Sequence, residues 1–93
     1  MADLTLADFT PSIGERWEME AGGETYPLEL IKASELPDSG RNGGSFRLEF
    51  RGPFEPILAQ GTYTFRRDGA AHDIFVCPIG REEAGTRYEA VFY

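Results

Sequence analysis

Histidine and cysteine, two residue types that often carry chemistry in proteins, each occur once in this chain, close together at His72 and Cys77. With Asp73 beside them, they could form a metal site or a Cys–His nucleophile pair. The segment has the composition of a β-strand, in which successive side chains alternate between two faces. His72 and Cys77 are separated by an odd number of positions and therefore point to opposite faces. We predict no metal-binding, cofactor-binding or catalytic residue.

Paired acidic residues and a glycine-rich stretch suggest two further chemistries. Glu18 and Glu20 share one face of a predicted strand, where they are most simply solvated charge. The same holds for Glu82 and Glu83 in a predicted turn. A glycosidase needs a cleft around two carboxyl groups, which a chain of 93 residues has little room to build. Residues 40–45 lack the lysine of a phosphate-binding loop. We therefore predict that the protein is not an enzyme.

Composition and charge exclude several partners. The protein is acidic: sixteen acidic against nine basic residues give a formal net charge of -7, and nucleic-acid binding needs clustered cations instead. The chain is 41% hydrophobic, which suits one folded domain. It has neither a secretory signal pattern nor a run of apolar residues long enough to cross a membrane, and its lone cysteine forms no internal disulfide. We expect a cytoplasmic protein with no nucleic-acid or membrane partner, and export by a specialised machine stays open.

Period-two alternation of apolar and polar residues recurs from about residue 15 to the end of the chain. The alternation is strictest at Phe46, Leu48 and Phe50, and an Asp-Gly pair at residues 68–69 is a strong hairpin signal. We predict an all-β fold: a small antiparallel meander of about six strands over residues 15–93, which forms a barrel or a two-layer sandwich.

Residues 1–14 are predicted to form a short N-terminal helix and a lead-in to the first strand. Thr5 and Asp8 have the spacing of a capping box. Leu6 and Phe9 of the same segment are expected to plug one end of the β core. With the strands that follow, the chain would be a single domain.

Several local signals refine the strand region. The predicted strand at residues 72–78 contains an unbroken apolar run, which suits a central strand covered on both faces or a barrel stave, and residues 79–86 have the composition of a turn. Pro27 lacks a backbone donor, which favours an edge position, or a strand that starts just after it. Such an edge could accept a strand from another chain. The longest loop is predicted at residues 36–44.

Five short motifs are spread over nearly the whole chain: residues 9–14, 50–53, 60–63, 75–80 and 87–92, with the sequences Phe-Thr-Pro-Ser-Ile-Gly, Phe-Arg-Gly-Pro, Gln-Gly-Thr-Tyr, Phe-Val-Cys-Pro-Ile-Gly and Arg-Tyr-Glu-Ala-Val-Phe. Together they resemble a family of small bacterial single-domain proteins of unknown function. The resemblance implies a bacterial domain of this length and supplies no activity. It also implies a loose association with phage-tail-like collar or fibre proteins as partners.

With catalytic chemistry set aside, the surface is the expected place of function. We predict a non-catalytic accessory, interaction or assembly module that binds a protein partner or a second copy of itself. The expected interaction surface follows the third strand and comprises Arg51, Pro53, Phe54, Pro56 and Gln60. The alternative is a small-molecule-binding barrel with an internal pocket, and an enzyme ranks third. That pocket would be lined by Trp17, Tyr63, Phe65 and Tyr88.

Overall fold

A computed structural model describes residues 4–37, 40 and 44–92 of the chain. Within these residues six strands form a closed antiparallel barrel, so the all-β prediction is confirmed and the barrel alternative is the correct one. Part of the predicted long loop, residues 38, 39 and 41–43, lies outside the described residues. The strands are β1 (Arg16–Ala21), β2 (Glu24–Glu35), β3 (Phe46–Gly52), β4 (Gly61–Arg67), β5 (Ala70–Glu82) and β6 (Gly85–Phe92).

The strand order around the barrel is β1-β2-β3-β6-β5-β4, and β4 closes the ring on β1. Consecutive strands are neighbours except at one step, because β3 lies next to β6 and not next to β4. The order therefore departs from a plain meander at this connection. Residues 53–60, which we call the crossover segment, carry the chain from β3 past the ends of β6 and β5 to β4.

Local sequence signals account for the hairpins. Asp68 and Gly69 connect β4 to β5 with φ values of 49° and 82°, the left-handed conformation that Asp-Gly pairs adopt in tight turns. The predicted hairpin is thus present. The turn between β5 and β6 is shorter than predicted, because a register shift between Pro78 and Gly80 lets β5 continue through residues that look like a turn in sequence.

Inward-facing side chains fill the barrel. Phe46, Leu48 and Phe50 of β3 are all buried, as their alternation predicts, and the ring centroids of Phe50 and Phe65 are 4.9 Å apart. Burial of such side chains is the main driving force for folding. The residues predicted to line an internal pocket belong to this packing: Trp17, Phe65 and Tyr88 are buried, and Tyr63 packs against them in part.

The N-terminal helix is present as two consecutive turns of 3-10 helix, Leu6–Asp8 and Thr10–Ser12. Asp8 accepts a hydrogen bond from the Thr5 backbone N–H at 2.7 Å, which stabilises the first turn. Between the two turns, Phe9 is fully buried and closes one end of the barrel. No helix among the described residues is long and apolar enough to cross a membrane.

The structure decides between the alternatives left open for two strands. β5 is a barrel stave and is not covered on both faces, since Phe75 points outward with 54% of its surface exposed. β2 starts before Pro27, which pairs with Glu18 of β1, so a strand that starts after the proline is wrong. Pairing between β2 and β3 begins only at Glu29, and Pro27 therefore has a neighbouring strand on one side.

Candidate functional site

The crossover segment is held against the barrel at its first end by hydrogen bonds to the carbonyl oxygen of Phe54. Thr86 Oγ1 and Arg81 Nε both donate to this oxygen, each at 3.2 Å. Arg81 Nη2 also makes an ion pair of 2.9 Å with Glu55 Oε1. Exposed ion pairs of this kind contribute little stability alone, but together these contacts fix the position of the backbone.

The far end of the crossover segment has its own attachments. The backbone N–H of Leu58 donates to the hydroxyl of the buried Tyr88 at 3.0 Å. Cys77 Sγ of β5 donates to Gln60 Oε1 at 3.1 Å. The segment is therefore tied to β5 at both ends, by Gln60 at one end and by residues 54 and 55 at the other. Its middle has a fixed position beside the barrel although it forms no strand.

The outer side of this region is apolar. Phe54 is 48% exposed, Ile57 is 50% exposed, and Pro56 between them is exposed as well. Ile79 of β5 is 47% exposed and lies between the same two attachments. The guanidinium of Arg81 lies 3.7 Å from the centre of the Phe54 ring, a cation–π contact that keeps the ring at the surface. We call Phe54, Pro56, Ile57 and Ile79 the apolar patch.

The structure brings together only part of the predicted interaction surface. Phe54 and Pro56 lie in the apolar patch, whereas Gln60 is at the far attachment and Pro53 is half-buried. Arg51 lies elsewhere, because its Nη2 pairs with Glu29 Oε1 of β2 at 3.2 Å. The predicted surface as a set stays a prediction.

Three residues of the region were missed in the sequence. Ile79 and Arg81 lie in the stretch that resembles a turn, and Ile57 lies in an irregular connection. One signal was available: an isoleucine in a stretch without strand alternation has no core face to occupy and tends to be exposed.

His72 and Cys77 face opposite sides of β5, as the parity of their positions predicts. The His72 ring packs inside the barrel against Phe9 and Trp17, with centroid distances of 6.1 and 6.0 Å. Cys77 faces Gln60 outside. Within the part of the chain that the structure describes, no three His, Cys, Asp or Glu residues are grouped so that they could hold a metal ion.

The outer face of β3 and β6 carries a network of ion pairs centred on Glu49. This side chain is only 5% exposed, although the alternation of β3 predicts a solvent-facing acid. Arg47 Nη2 pairs with Glu49 Oε1 at 2.7 Å, and the guanidinium of Arg87 contacts the other carboxylate oxygen. Arg47 also pairs with Glu89. Glu49 is therefore a charge-compensated residue of the barrel wall.

The surface charge is unevenly compensated. Each of the seven arginines in the described residues has a carboxylate partner. Several carboxylates make no ion pair with any described residue: Asp8, Glu15, Glu24, Glu35, Asp73 and Glu83. Among the described residues, the uncompensated charge is thus mainly negative.

One tyrosine has a perturbed acidity. The Tyr26 hydroxyl donates to Glu24 Oε2 at 2.7 Å, and this hydrogen bond, with smaller contributions from burial and from the carboxylate charge, raises the pKa of Tyr26 above 10.0. Both residues are on the strand surface next to the β1–β2 turn. The shift is a local effect of one hydrogen bond.

A depression of about 520 Å³ lies at the plugged end of the barrel, between the 3-10 turns and the β4–β5 hairpin. Its walls combine apolar and charged groups, among them Leu4, Trp17, Asp8, Arg67 and His72. Trp17 contributes little accessible surface, because it is 3% exposed and its Nε1 donates to Ser12 Oγ at 3.2 Å. The site is open and lies outside the filled core.

Comparison with known proteins gave one match. A family model described as Domain of unknown function (DUF6916) matches residues 4–92, which confirms the family resemblance of the sequence. Neither a curated protein nor a solved structure matches the chain.

Proposed function

The chain belongs to the family described as Domain of unknown function (DUF6916), and we propose that it is a non-catalytic accessory or assembly module that binds another protein through the apolar patch. The observation that carries the proposal is the exposure of Phe54 and Ile57, at 48% and 50%, on a segment attached to the barrel at both ends, with Ile79 of β5 47% exposed between the two attachments. Single exposed apolar residues are common, whereas a cluster of them often marks a binding surface.

The size of the patch fits a modest protein contact. Complete burial of one large apolar side chain contributes about 1.5–3 kcal/mol, and each of the three is already half-buried, so a partner could gain about 1 kcal/mol from each. The attachments of the crossover segment also fix the backbone before binding, which lowers the entropy cost of association. A partner would have to add polar contacts at the rim, where Arg81 and Glu55 lie.

The proposed partner is a protein. A second copy of the chain and the phage-tail-like or fibre proteins implied by the resemblance are the two classes we consider. The described arginines are already paired with carboxylates, so they offer little free positive charge to the phosphates of a nucleic acid. This supports a partner other than nucleic acid.

A matched pair of substitutions tests this proposal. Ile57 and Ile13 are exposed to similar extents, 50% and 45%, and Ile13 lies far along the chain in the lead-in to β1. Purified wild type, Ile57→Ser and Ile13→Ser would be used as baits in a lysate of the source cells, with bound proteins quantified by mass spectrometry. Light scattering would detect self-association. We expect at least one partner to be lost with Ile57→Ser and kept with Ile13→Ser. Equal recovery by all three baits would contradict the proposal.

Small-molecule binding is a second candidate function, supported by the depression at the plugged end and not by an internal pocket. The depression places His72, Arg67 and Asp8 beside apolar walls, a combination typical of sites for small polar ligands. A fragment screen by NMR would test it. Shifts confined to His72 and its neighbours would support the candidate, and an absence of shifts there would end it.

A further inference from the structure

The ladder between β5 and β6 closes the barrel along only part of β5. Their register runs from Glu82 opposite Gly85 to Cys77 opposite Glu89 and stops there. Continued pairing would place Phe75 opposite Val91, but this pair is not formed. Residues 70–76 of β5 therefore pair with β4 on one side and, among the described residues, with no strand on the other. We call this side of residues 70–76 the free edge.

Apolar side chains border the free edge. Phe75 and Val91 point outward from the two diverging strands and are 54% and 44% exposed. Other outward positions nearby are polar, such as Asp73 on β5 and Glu89 on β6. An exposed strand edge with apolar residues beside it is a surface to which another strand can pair.

A second unpaired stretch, at the start of β2, is protected in a way that the free edge is not. Leu30 donates to Glu15 O at 3.1 Å and accepts from the Gly14 N–H at 2.7 Å, so its backbone groups face β1. The backbone N–H and C=O groups of successive residues in a strand point alternately to its two sides. Pro27 is an odd number of positions from Leu30, so its backbone groups point away from β1, to the side where no strand is paired. A proline has no N–H to offer an added strand. The free edge of β5 contains no proline.

The charge at the free edge indicates the kind of strand that would pair there. The Asp73 carboxylate is exposed and accepts a hydrogen bond from Thr64 Oγ1 at 2.7 Å, but it has no cationic partner among the described residues. Arg47, which lies opposite Val91 on β3, is already engaged by Glu49 and Glu89. The charge left uncompensated is negative. A cationic side chain two positions from an apolar one would match Asp73 and Phe75.

We propose that the free edge of β5 binds an extended segment of a partner protein as an additional strand, in which an apolar residue and a lysine or arginine lie two positions apart and therefore share one face. A second copy of this chain fits less well, because each copy carries a formal net charge of -7 and would bring its own uncompensated carboxylates. This proposal does not depend on the apolar patch, whose one β5 residue, Ile79, lies in the half of the strand that pairs with β6.

The test uses a defined peptide probe, Lys-Thr-Val-Thr-Lys-Thr-Val, in which lysine and valine share one face, and its acidic counterpart, Glu-Thr-Val-Thr-Glu-Thr-Val. Each is titrated into the full-length protein labelled with nitrogen-15, and binding is followed by amide shifts and by amide hydrogen exchange. Two variants are compared with wild type. Phe75→Lys changes the free edge, and Phe54→Lys changes an equally exposed phenylalanine of the apolar patch. Circular dichroism confirms that both variants are folded, and Val91→Lys replaces Phe75→Lys if that variant does not fold.

We expect the basic peptide to slow amide hydrogen exchange in residues 70–76. Its affinity for Phe75→Lys should be at least tenfold lower than for wild type, and its affinity for Phe54→Lys should equal that for wild type. Raising the salt from about 50 to about 500 mM should weaken this binding. Protection elsewhere, no protection, or equal binding of the acidic peptide would overturn the proposal. The apolar patch would be unaffected by that failure, since its own test depends on Ile57.

Discussion

Replacement of Gly85 by alanine is expected to destabilise the barrel strongly. Gly85 begins β6 with φ at 142°, a conformation that residues with a Cβ rarely adopt. A Cβ built at this position would overlap the carbonyl oxygen of Gly52 on β3 and lie 3.3 Å from Arg51 Cγ. The carbonyl belongs to the backbone and cannot move away without separating β3 from β6 at the first pair of their ladder, Gly52 opposite Thr86.

The size of the effect follows from two costs. A strained backbone conformation costs about 1–3 kcal/mol, and disruption of the first ladder pair costs about 1 kcal/mol more for a lost hydrogen bond. The free energy of unfolding should therefore fall by about 2–4 kcal/mol. For a domain of this size each kcal/mol lowers the melting temperature by about 4–8 °C, so we expect a decrease of about 8–32 °C.

Thermal and urea unfolding followed by circular dichroism would measure this change, with Gly80→Ala as the matched control. Gly80 lies on β5, has no positive φ, and a Cβ there would meet no atom within 4 Å. The control should unfold within about 0.5 kcal/mol of wild type. If Gly85→Ala were as stable as Gly80→Ala, this result would contradict the claim that the carbonyl oxygen of Gly52 leaves no room for a Cβ at Gly85.

Three further predictions concern the plug, the ion-pair network and one tyrosine. Phe9→Ala should lower the free energy of unfolding in urea by about 3–5 kcal/mol, because it empties the plugged end of the barrel; a loss below about 1 kcal/mol would show that Phe9 does not close the core. Glu49→Ala should cost about 1–3 kcal/mol, since it leaves two partly exposed arginines without their shared carboxylate, and an unchanged urea midpoint would contradict the network. An absorbance titration should show that the pKa of Tyr26 lies above 10.0, and that it moves back toward 10.0 in Glu24→Ala. The hydrogen bond stabilises the fold at pH values below the pKa that Tyr26 has in the unfolded chain. This stabilisation is lost as the pH rises through the pKa of Tyr26 in the folded protein.

The sequence predicts the fold where the information is local. The alternation of Phe46, Leu48 and Phe50 identifies the core face of β3, and the Asp-Gly pair at residues 68–69 identifies a hairpin, because both depend on neighbouring residues alone. The place of β6 between β3 and β5 is a long-range property that no short pattern encodes. The same is true of the burial of Glu49, which depends on arginines from two strands.

The surface was predictable to a smaller extent. Phe54 was expected at the surface because glycine and proline surround it, where no strand face is available for burial. Ile79 and Arg81 were missed, since a register shift extends β5 through a stretch that has the composition of a turn. The prediction includes Arg51 in the interaction surface because it is close in sequence to Pro53 and Phe54. In the structure its side chain forms an ion pair with Glu29 of the neighbouring strand β2.

The most direct test of the proposed function compares partner recovery by the Ile57→Ser and Ile13→Ser baits with recovery by wild type. The two substitutions remove the same side chain from sites of nearly equal exposure, and only Ile57 lies in the apolar patch. We predict that a partner bound by wild type is lost with Ile57→Ser and retained with Ile13→Ser. Retention of the same proteins by both variants, or their loss with both, would contradict binding through the apolar patch.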